Sequence, residues 1–364
     1  MTGHIQRDDP AVKTVADRAP AVSIRDVARA AGVSHQTVSR VINQSSKVRP
    51  ATREAVLAAV SELGFRPNRA ARALAGGPIQ SVTVLASNTS LYGFAAALEG
   101  IEEASREAGF GMGFRVVEAR SAAEMRAAVE HAIEPAGALI VIAFDRAGAL
   151  ALECVPAEVP TAAMIQAPIG SIVPLRPSVW IDEFAAAKEA TEYLLGFGHA
   201  TVHHLSIPSW SGATRRMEGW RAALDDAGVT APDPLQSGWT AEWGYDAGRR
   251  LADDPTLTAA LCGNDDIALG FMRAMREAGR DVPGDVSIIG FDDIPYARFS
   301  SPALTTVCQD FKALGRACFA KLGVSKAADS DAEPELPQAR LIIRETVGPP
   351  PAPQRTDRAP GERR

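Results

Sequence analysis

The stretch Ile24–Asn43, IRDVARAAGVSHQTVSRVIN, contains two short amphipathic helical patterns separated by a glycine. Ser23 followed by Asp26 predicts the start of the first helix, and Gly32 suits a tight turn that needs a positive φ. Ser34 predicts the N-cap of the second helix. Two helices joined by a short turn are typical of a helix-turn-helix unit, whose second helix enters the major groove of DNA.

The predicted second helix separates polar from apolar side chains. Val38, Val41 and Ile42 share one face and are expected to be buried. Gln36 and Arg40 are expected to be exposed, and these residue types pair with adenine and guanine edges respectively. A small surface helical hairpin is the alternative interpretation. The residues expected to contact DNA from this segment are Ser34, His35, Gln36, Thr37, Ser39, Arg40 and Asn43.

Charge is divided unevenly along the 364 residues. The net charge is −6, yet residues 1–76 carry 12 Lys and Arg against 6 Asp and Glu. The remaining residues therefore have a net charge of −12. A short basic segment joined to a long acidic body suggests that only the basic segment contacts a polyanion such as DNA.

Composition and periodicity predict five segments. Three helical patterns suggest a small all-α head, a short Pro- and Gly-bounded stretch follows it, and both ends of the chain lack periodicity. The expected segments are a disordered tail at 1–20, the helix-turn-helix head at 21–66, a short linker that could become helical on a partner at 67–78, an α/β body at 79–347 and a disordered tail at 348–364.

Residues 79–347 alternate apolar runs of strand length with amphipathic helices, which is typical of parallel sheets covered on both faces. The segment is long for one doubly wound sheet, so two similar lobes are expected. The expected strands are 81–86, 113–117, 138–144, 161–165, 179–181, 201–207, 259–262 and 286–291. The expected helices include 94–108, 122–133, 184–195, 215–227, 267–278 and 311–322.

The chain lacks the motifs that several functional classes require. The chain contains no apolar run of 18 residues and no apolar N-terminal signal, so we expect a cytoplasmic protein with no membrane contact and reduced thiols. The four cysteines form no CxxC pair, and we predict no metal site and no cofactor. A solute receptor and an enzyme built around His199, His203 and His204 are the alternatives weighed. No nucleophile elbow, P-loop or zinc-protease motif occurs, so we predict no catalytic residue.

The head pattern D-V-A-x-x-A-G-V-S-x-x-T-V-S-R-V-I-N, present at 26–43, is similar to the headpiece of the LacI/GalR transcription regulators. The resemblance extends to about residue 347. Its later markers are GFGH at 196–199, RRMEGWRAALDDAG at 215–228, NDDIALGFMRAM at 264–275 and DVSIIGFDDIPYARFSSPALTTVCQDF at 285–311.

The resemblance implies a hinge helix within residues 67–78 that enters the minor groove of DNA when two copies meet on a palindromic operator. Leu74 matches the apolar wedge that separates a base step, and a buried linker residue is the alternative interpretation. Asn68 and Ala71 are expected to line the same groove.

The resemblance also implies a two-lobed body similar to periplasmic sugar-binding proteins, with a sugar or related small molecule between the lobes. The first lobe is expected at 79–178 and 307–337, and the second at 179–306 and 338–347. Alternatives are a core role for the aromatic residues of this set and a surface ion pair for its arginine. The expected effector contacts are Phe94, Arg216, Trp239, Asn264 and Asp292.

Two positions depart from the family pattern. Leu91-Tyr92 stands where Asn-Pro is common, and Ile165-Gln166 stands where an Asp is often found. The resemblance therefore does not identify the ligand or the contacts that these positions make on the first-lobe side of the effector pocket. No heptad helix can form from 348–364, so the implied assembly is a homodimer. The implied function is a repressor of carbohydrate-utilisation genes that the effector releases from its operator.

Replacing Leu74 by alanine tests the wedge. The variant is expected to bend operator DNA less, because the apolar side chain that unstacks a base step is lost. Ligand affinity of the body should stay unchanged. A circularisation assay measures the bending, and unchanged bending contradicts the wedge role.

Overall fold

The computed structural model describes most of the chain in nine ranges. They are residues 22–42, 47–65, 81–119, 121–133, 137–167, 175–209, 213–236, 238–324 and 335–352. The chain separates into two compact units, residues 1–77 and 78–364. Asn43 of the head and the hinge positions Asn68, Ala71 and Leu74 lie outside the described residues.

Three helices form the described part of the head: α1 (Ile24–Ala30), α2 (His35–Ile42) and α3 (Pro50–Glu62). Their shared core is small, because each helix contributes only two fully buried apolar side chains. These are Val27, Ala28, Val38, Val41, Val56 and Ala59. A core of this size stabilises a domain only marginally.

The first lobe of the body contains a parallel sheet whose described strands have the order β2-β1-β3-β4-β5. The strands are β1 (Ser81–Ala86), β2 (Gly111–Val116), β3 (Gly137–Ala143), β4 (Thr161–Ile165) and β5 (Ser178–Val179). Six of the seven residues of β3 are buried, as expected when helices cover both faces of a parallel sheet. The helices of this lobe are α4 (Tyr92–Glu107), α5 (Ala122–Ala132) and α6 (Arg146–Cys154).

The second lobe contains a larger sheet whose described strands have the order β11-β10-β9-β8-β6-β7. The strands are β6 (His203–Ser206), β7 (Leu235–Gln236), β8 (Ala259–Cys262), β9 (Ser287–Asp292), β10 (Thr305–Cys308) and β11 (Arg340–Ile342). Its helices are α7 (Glu183–Gly196), α8 (Arg215–Asp226), α9 (Ala241–Leu251) and α10 (Asp265–Glu277), with a 3₁₀ turn at Ala297–Phe299. The edge strand β11 is antiparallel to β10, an exception to the expected parallel pattern.

The chain passes between the lobes three times. It leaves the first sheet after β5 and enters α7, which packs on α8 in the second lobe. It returns after β10 into α11 (Phe311–Lys321), which packs against α4 of the first lobe. It then re-enters the second lobe as β11. Residues near these crossings, such as Glu183 and Gln309, therefore lie at the junction of the lobes.

The body continues past Val347. The Nε2 of His199 donates to the carbonyl oxygen of Gly348 at 2.9 Å, and the backbone N–H of Gly348 donates to Oγ of Ser287 at 3.0 Å. The expected disordered tail therefore cannot begin at residue 348.

Helices α4 and α11 pack closely enough to require glycine. A Cβ atom at Gly100 would overlap the backbone carbonyl of Lys312, and one at Gly315 would overlap the carbonyl of Ala97. Backbone carbonyls of a packed helix cannot turn aside as a flexible side chain can. The absence of a side chain at these positions is therefore what lets α11 lie against the first lobe.

Replacing Gly100 by alanine is expected to lower the free energy of unfolding by roughly 1–3 kcal/mol, because α4 must move away from α11. Urea unfolding of the full chain measures the loss. Gly196→Ala is the matched control, since its added Cβ meets nothing within 4 Å. Equal stability of the two variants would contradict the close-packing argument.

Candidate functional site

Local interactions define the start of α1 and the turn between α1 and α2. The carboxylate of Asp26 accepts hydrogen bonds from the backbone N–H of Ser23 at 3.0 Å and from its hydroxyl at 2.7 Å. Gly32 has φ +64°, the left-handed conformation expected for the turn. Oγ of Ser34 accepts from the backbone N–H of Thr37 at 3.2 Å, so α2 begins as predicted.

Helix α2 presents a polar face away from the head core. Val38 and Val41 are 0% and 3% exposed, whereas His35, Gln36 and Arg40 are exposed. The predicted division into apolar and polar faces is therefore confirmed, although Ile42, which was expected to be buried, is only partly buried. Ser34 is exposed as well, and Thr37 and Ser39 are partly buried beside it. This arrangement leaves the amide of Gln36 in the first turn of α2 and the guanidinium of Arg40 in its last turn available to a partner.

A cleft between the two lobes of the body lies at the carboxyl ends of strands from both sheets, where ligands of open α/β sheets bind. Together with the open solvent at its mouth, the cleft contains about 610 Å³ of empty space. All five expected effector contacts line it: Phe94, Arg216, Trp239, Asn264 and Asp292.

The first-lobe side of the cleft is aromatic. The rings of Phe94 and Phe144 meet edge to face with centroids 5.4 Å apart, and Phe144 lies 5.7 Å from Phe311. Tyr92 meets Phe311 at 6.2 Å. Phe94 is 2% exposed, so it serves the lobe core and the cleft wall together. Such a surface can stack against the apolar face of a sugar ring.

Arg216 is the buried cation of the second-lobe side. Its guanidinium lies 2.7 Å from the carboxylate of Glu183 and 3.5 Å from that of Asp292, and it donates to the carbonyl oxygen of Gly263. The ring of Phe291 lies 4.4 Å below it. The arginine is therefore a buried ion pair and not the surface ion pair considered from the sequence. Burial of this kind is costly unless such partners remain in place.

Asp292 ends β9 in a strained conformation. Its φ is +104°, which is rare for a residue other than glycine. One carboxylate oxygen accepts a hydrogen bond from Nε2 of Gln309 at 2.8 Å. Burial raises the pKa of Asp292 to about 6, while the neighbouring Arg216 opposes the shift. The fold thus holds this carboxylate in place at a cost, as binding sites often do.

Asn264 connects the helix start to the cleft. Its side-chain oxygen accepts from the backbone N–H of Ile267 at 2.8 Å and caps α10. Its amide nitrogen donates to the carbonyl oxygen of Trp239 at 2.9 Å. The second bond ties the backbone of Trp239 to the start of α10, and the half-buried Trp239 lines the cleft and packs against the second-lobe core.

Two deeply buried polar atoms in the cleft residues have no hydrogen-bond partner. They are Nε of Arg216 and Oε1 of Gln309, whose residues are 4% and 2% exposed. Buried polar groups are normally paired, so an unpaired donor and acceptor in one cleft suggest a polar ligand. This observation points to the cleft independently of any sequence pattern.

Several residues that line the cleft were not predicted from the sequence, and the role of the positions that depart from the family pattern was not assigned. Glu183, Asp266, Gln309, Phe144 and Phe311 carry no local signal apart from their positions at strand ends or helix starts. The departing positions also line the cleft: Leu91, Tyr92, Ile165 and Gln166. Gln166 donates through Nε2 to the carbonyl oxygen of Phe144 at 2.9 Å, so it stands in the first-lobe wall where an Asp was expected.

Two aspartates next to Asn264 and Asp292 in the sequence, and the three histidines weighed for catalysis, have structural contacts. Asp265 accepts from the backbone N–H of Ile294 at 2.8 Å, and Asp293 pairs with Arg344 at 2.6 Å. Neither aspartate lines the cleft. The three histidines do not converge on one site: His199 contacts Gly348, His203 contacts Asp254 and His204 stacks on Trp220.

The described residues contain neither a membrane-spanning helix nor a metal-binding cluster. Within these ranges, no helix combines the length and apolar character needed to cross a bilayer. The same part of the chain contains no cluster of three or more His, Cys, Asp or Glu residues arranged to bind a metal ion. Its four cysteines are free thiols.

Replacing Asp292 by asparagine is expected to change how stability depends on pH. The folded pKa of about 6 lies above the ordinary aspartate value of 3.8, so Asp292 holds a proton in the folded state more tightly than in the unfolded state. The stability this gives is present at low pH and is lost as pH rises through 6. The free energy of unfolding of the variant, minus that of the wild type, should therefore increase by about 1 kcal/mol between pH 5 and pH 7.

Urea unfolding at pH 5, 6 and 7 measures the difference between variant and wild type. The exposed carboxylate Asp225 on α8 provides the control, as Asp225→Asn should track the wild type across this range. A difference for Asp292→Asn that stays constant with pH would contradict the raised pKa.

Comparisons with known proteins match both units. Residues 23–68 match the family of bacterial regulatory proteins, lacI family, and residues 191–347 match a periplasmic binding protein-like domain. The lactose operon repressor of Escherichia coli is 33% identical over 302 residues, covering 81% of this chain and 82% of that protein.

Solved structures agree with these matches. A lac repressor dimer bound to operator and the anti-inducer ONPF has a TM-score of 0.79 at 30% identity, covering 90% of this chain and all of that one. A complex of the transcriptional regulator CelR with cellobiose has a TM-score of 0.64 at 28% identity, covering 89% and 99%. The chain therefore belongs to the LacI family of bacterial regulatory proteins.

Proposed function

We propose that this chain is a dimeric transcription repressor that binds a palindromic operator through its head and leaves it when a sugar or related small molecule occupies the cleft. Its targets are carbohydrate-utilisation genes, and it acts in the cytoplasm. It is proposed to have no catalytic role, because the three histidines considered for one, His199, His203 and His204, are held in separate structural contacts.

The observation that carries the DNA-binding part is the outward face of α2. His35, Gln36 and Arg40 are exposed on a helix that Val38 and Val41 anchor to the head core. Arginine and glutamine read base edges through paired hydrogen bonds, and a rigid helix holds them in register with the groove. Ser34, Thr37, Ser39 and Asn43 are proposed to contact the DNA beside them.

The ligand-binding part rests on the cleft. An aromatic wall faces charged and amide groups, which is the combination that sugar rings require. The unpaired Nε of Arg216 and Oε1 of Gln309 would be satisfied by ligand hydroxyls. Phe94, Trp239 and Asn264 are proposed to complete the set of contacts. The CelR structure with cellobiose is an example of a relative that binds a sugar.

The two sites are coupled through the hinge. Residues 67–78 are proposed to form paired hinge helices on DNA, with Asn68, Ala71 and Leu74 in the minor groove. A ligand that changes the angle between the lobes would separate the hinge helices. Operator and ligand must then weaken each other's binding by the same factor, since coupling between two binding sites is reciprocal.

The Arg40→Ala variant tests the DNA-binding role. Operators are first selected with the wild type from a pool of randomised palindromic duplexes. The variant is expected to lose discrimination worth roughly 1–3 kcal/mol at one base pair per half-site, because a bidentate base contact is removed. Gel shifts at fixed salt against single-base operator variants measure this loss.

Arg25→Ala is the charge-matched control, because Arg25 is exposed but belongs to α1 and not to α2. It should weaken binding about equally for all sequences or leave it unchanged. Identical discrimination by wild type and Arg40→Ala would refute the role of Arg40. Failure to select any sequence from the pool would contradict the repressor function itself.

A further inference from the structure

The cleft contains more negative than positive charge. Its lining includes the carboxylates of Glu183, Asp266 and Asp292 but only one cation, Arg216, among the described residues. Arg216 lies within ion-pair distance of Glu183 and Asp292, at 2.7 and 3.5 Å. The single guanidinium is therefore already shared between two carboxylates before any ligand enters.

Asp266 is the carboxylate that this pairing leaves out. It lies in the first turn of α10, is partly buried, and has no ion-pair or hydrogen-bond partner among the described residues. Burial raises its pKa, and its charge contributes to the raised pKa of Asp292. The helix N-terminus stabilises Asp266 in part. That stabilisation does not account for its position at the cleft wall.

The lining of the cleft also contains more hydrogen-bond acceptors than donors. The free donor among the deeply buried atoms is Nε of Arg216, and the free acceptor is Oε1 of Gln309. The carboxylates of Glu183, Asp266 and Asp292 accept but do not donate when ionised. A ligand with several N–H and O–H donors, and with one acceptor oxygen for Nε of Arg216, would satisfy this lining. A carboxylate or phosphate would compete with Glu183 and Asp292 for the one cation.

We propose that Asp266 is a specificity residue that makes the cleft prefer an amino sugar to the matching uncharged sugar, and both to their carboxylated or phosphorylated relatives. The protonated amine of the ligand donates to the Asp266 carboxylate and supplies the missing positive charge. A charge-assisted hydrogen bond of this kind is stronger than one from a hydroxyl. The inference rests on the proposed function, in which the cleft binds the effector.

The experiment measures ligand affinity by calorimetry with the full-length chain. The probes are three hexoses (glucose, galactose and mannose), each compared with its 2-amino-2-deoxy derivative, its uronate and its 6-phosphate. For at least one hexose, the amine should bind about tenfold more tightly than the parent sugar. The uronate and the phosphate should bind more weakly than the parent.

The Asp266→Asn variant should lose the advantage of the amine, reducing the ratio of amine to parent affinity by about tenfold. Its affinity for the parent sugar should change much less. Glu242→Gln is the matched control, because Glu242 is an exposed carboxylate in the first turn of α9. The control should keep the order of the probes, since a loss of helix-dipole stabilisation alone does not change ligand selection.

Three outcomes would overturn the inference: a uronate or phosphate that binds as tightly as its parent, an amine advantage that survives in Asp266→Asn, or no binding by any probe. Operator release is measured with the same probes to separate the two proposals. If the probe affinities follow the expected order of charge but no probe releases the operator, the proposed function is contradicted and the role of Asp266 is supported. If the probes release the operator but their affinities do not follow the predicted order of charge, only the role of Asp266 is contradicted.

Discussion

The cleft depends on the buried guanidinium of Arg216. A charge that is 4% exposed is tolerated only when oppositely charged and polar partners surround it. Glu183 and Asp292 are the charged partners, and the carbonyl oxygen of Gly263 accepts one of its N–H groups. The start of α7, the end of β9 and the turn after β8 are therefore held around one cation. Loss of either carboxylate would leave part of that charge uncompensated.

This ion-pair network also reaches the junction of the lobes. Glu183 begins α7 directly after the chain leaves the first sheet, and Gln309 lies on the crossing between β10 and α11. Gln309 donates to Asp292, whose strained φ of +104° is maintained by these contacts. A molecule bonded to Asp292 would therefore act on two of the three crossings. The junction of the lobes and the candidate binding site are built from the same side chains.

Strong local patterns predicted the fold well, and weak ones did not. The strands Thr161–Ile165 and Ala259–Cys262 have the bounds expected from their apolar runs, and α2 has its polar and apolar faces where the helical period places them. Helix α6 was missed, although the Asp145 side chain caps it by accepting from the backbone of Gly148 at 2.8 Å. The short strands β7, β10 and β11 were missed because two to four residues carry no period, and pairing with a neighbour decides their conformation.

The sequence by itself determined the head helices, the alternation of strands and helices, and, through family resemblance, five residues that line the cleft. Those features are local or follow from matching motifs. Only the tertiary structure decided that Glu183 and Asp292 share Arg216, that Gln309 bonds Asp292 and that Asp266 has no described partner. Burial and ion pairing join residues that are far apart in the chain. They depend on the packed lobes, which no local pattern records.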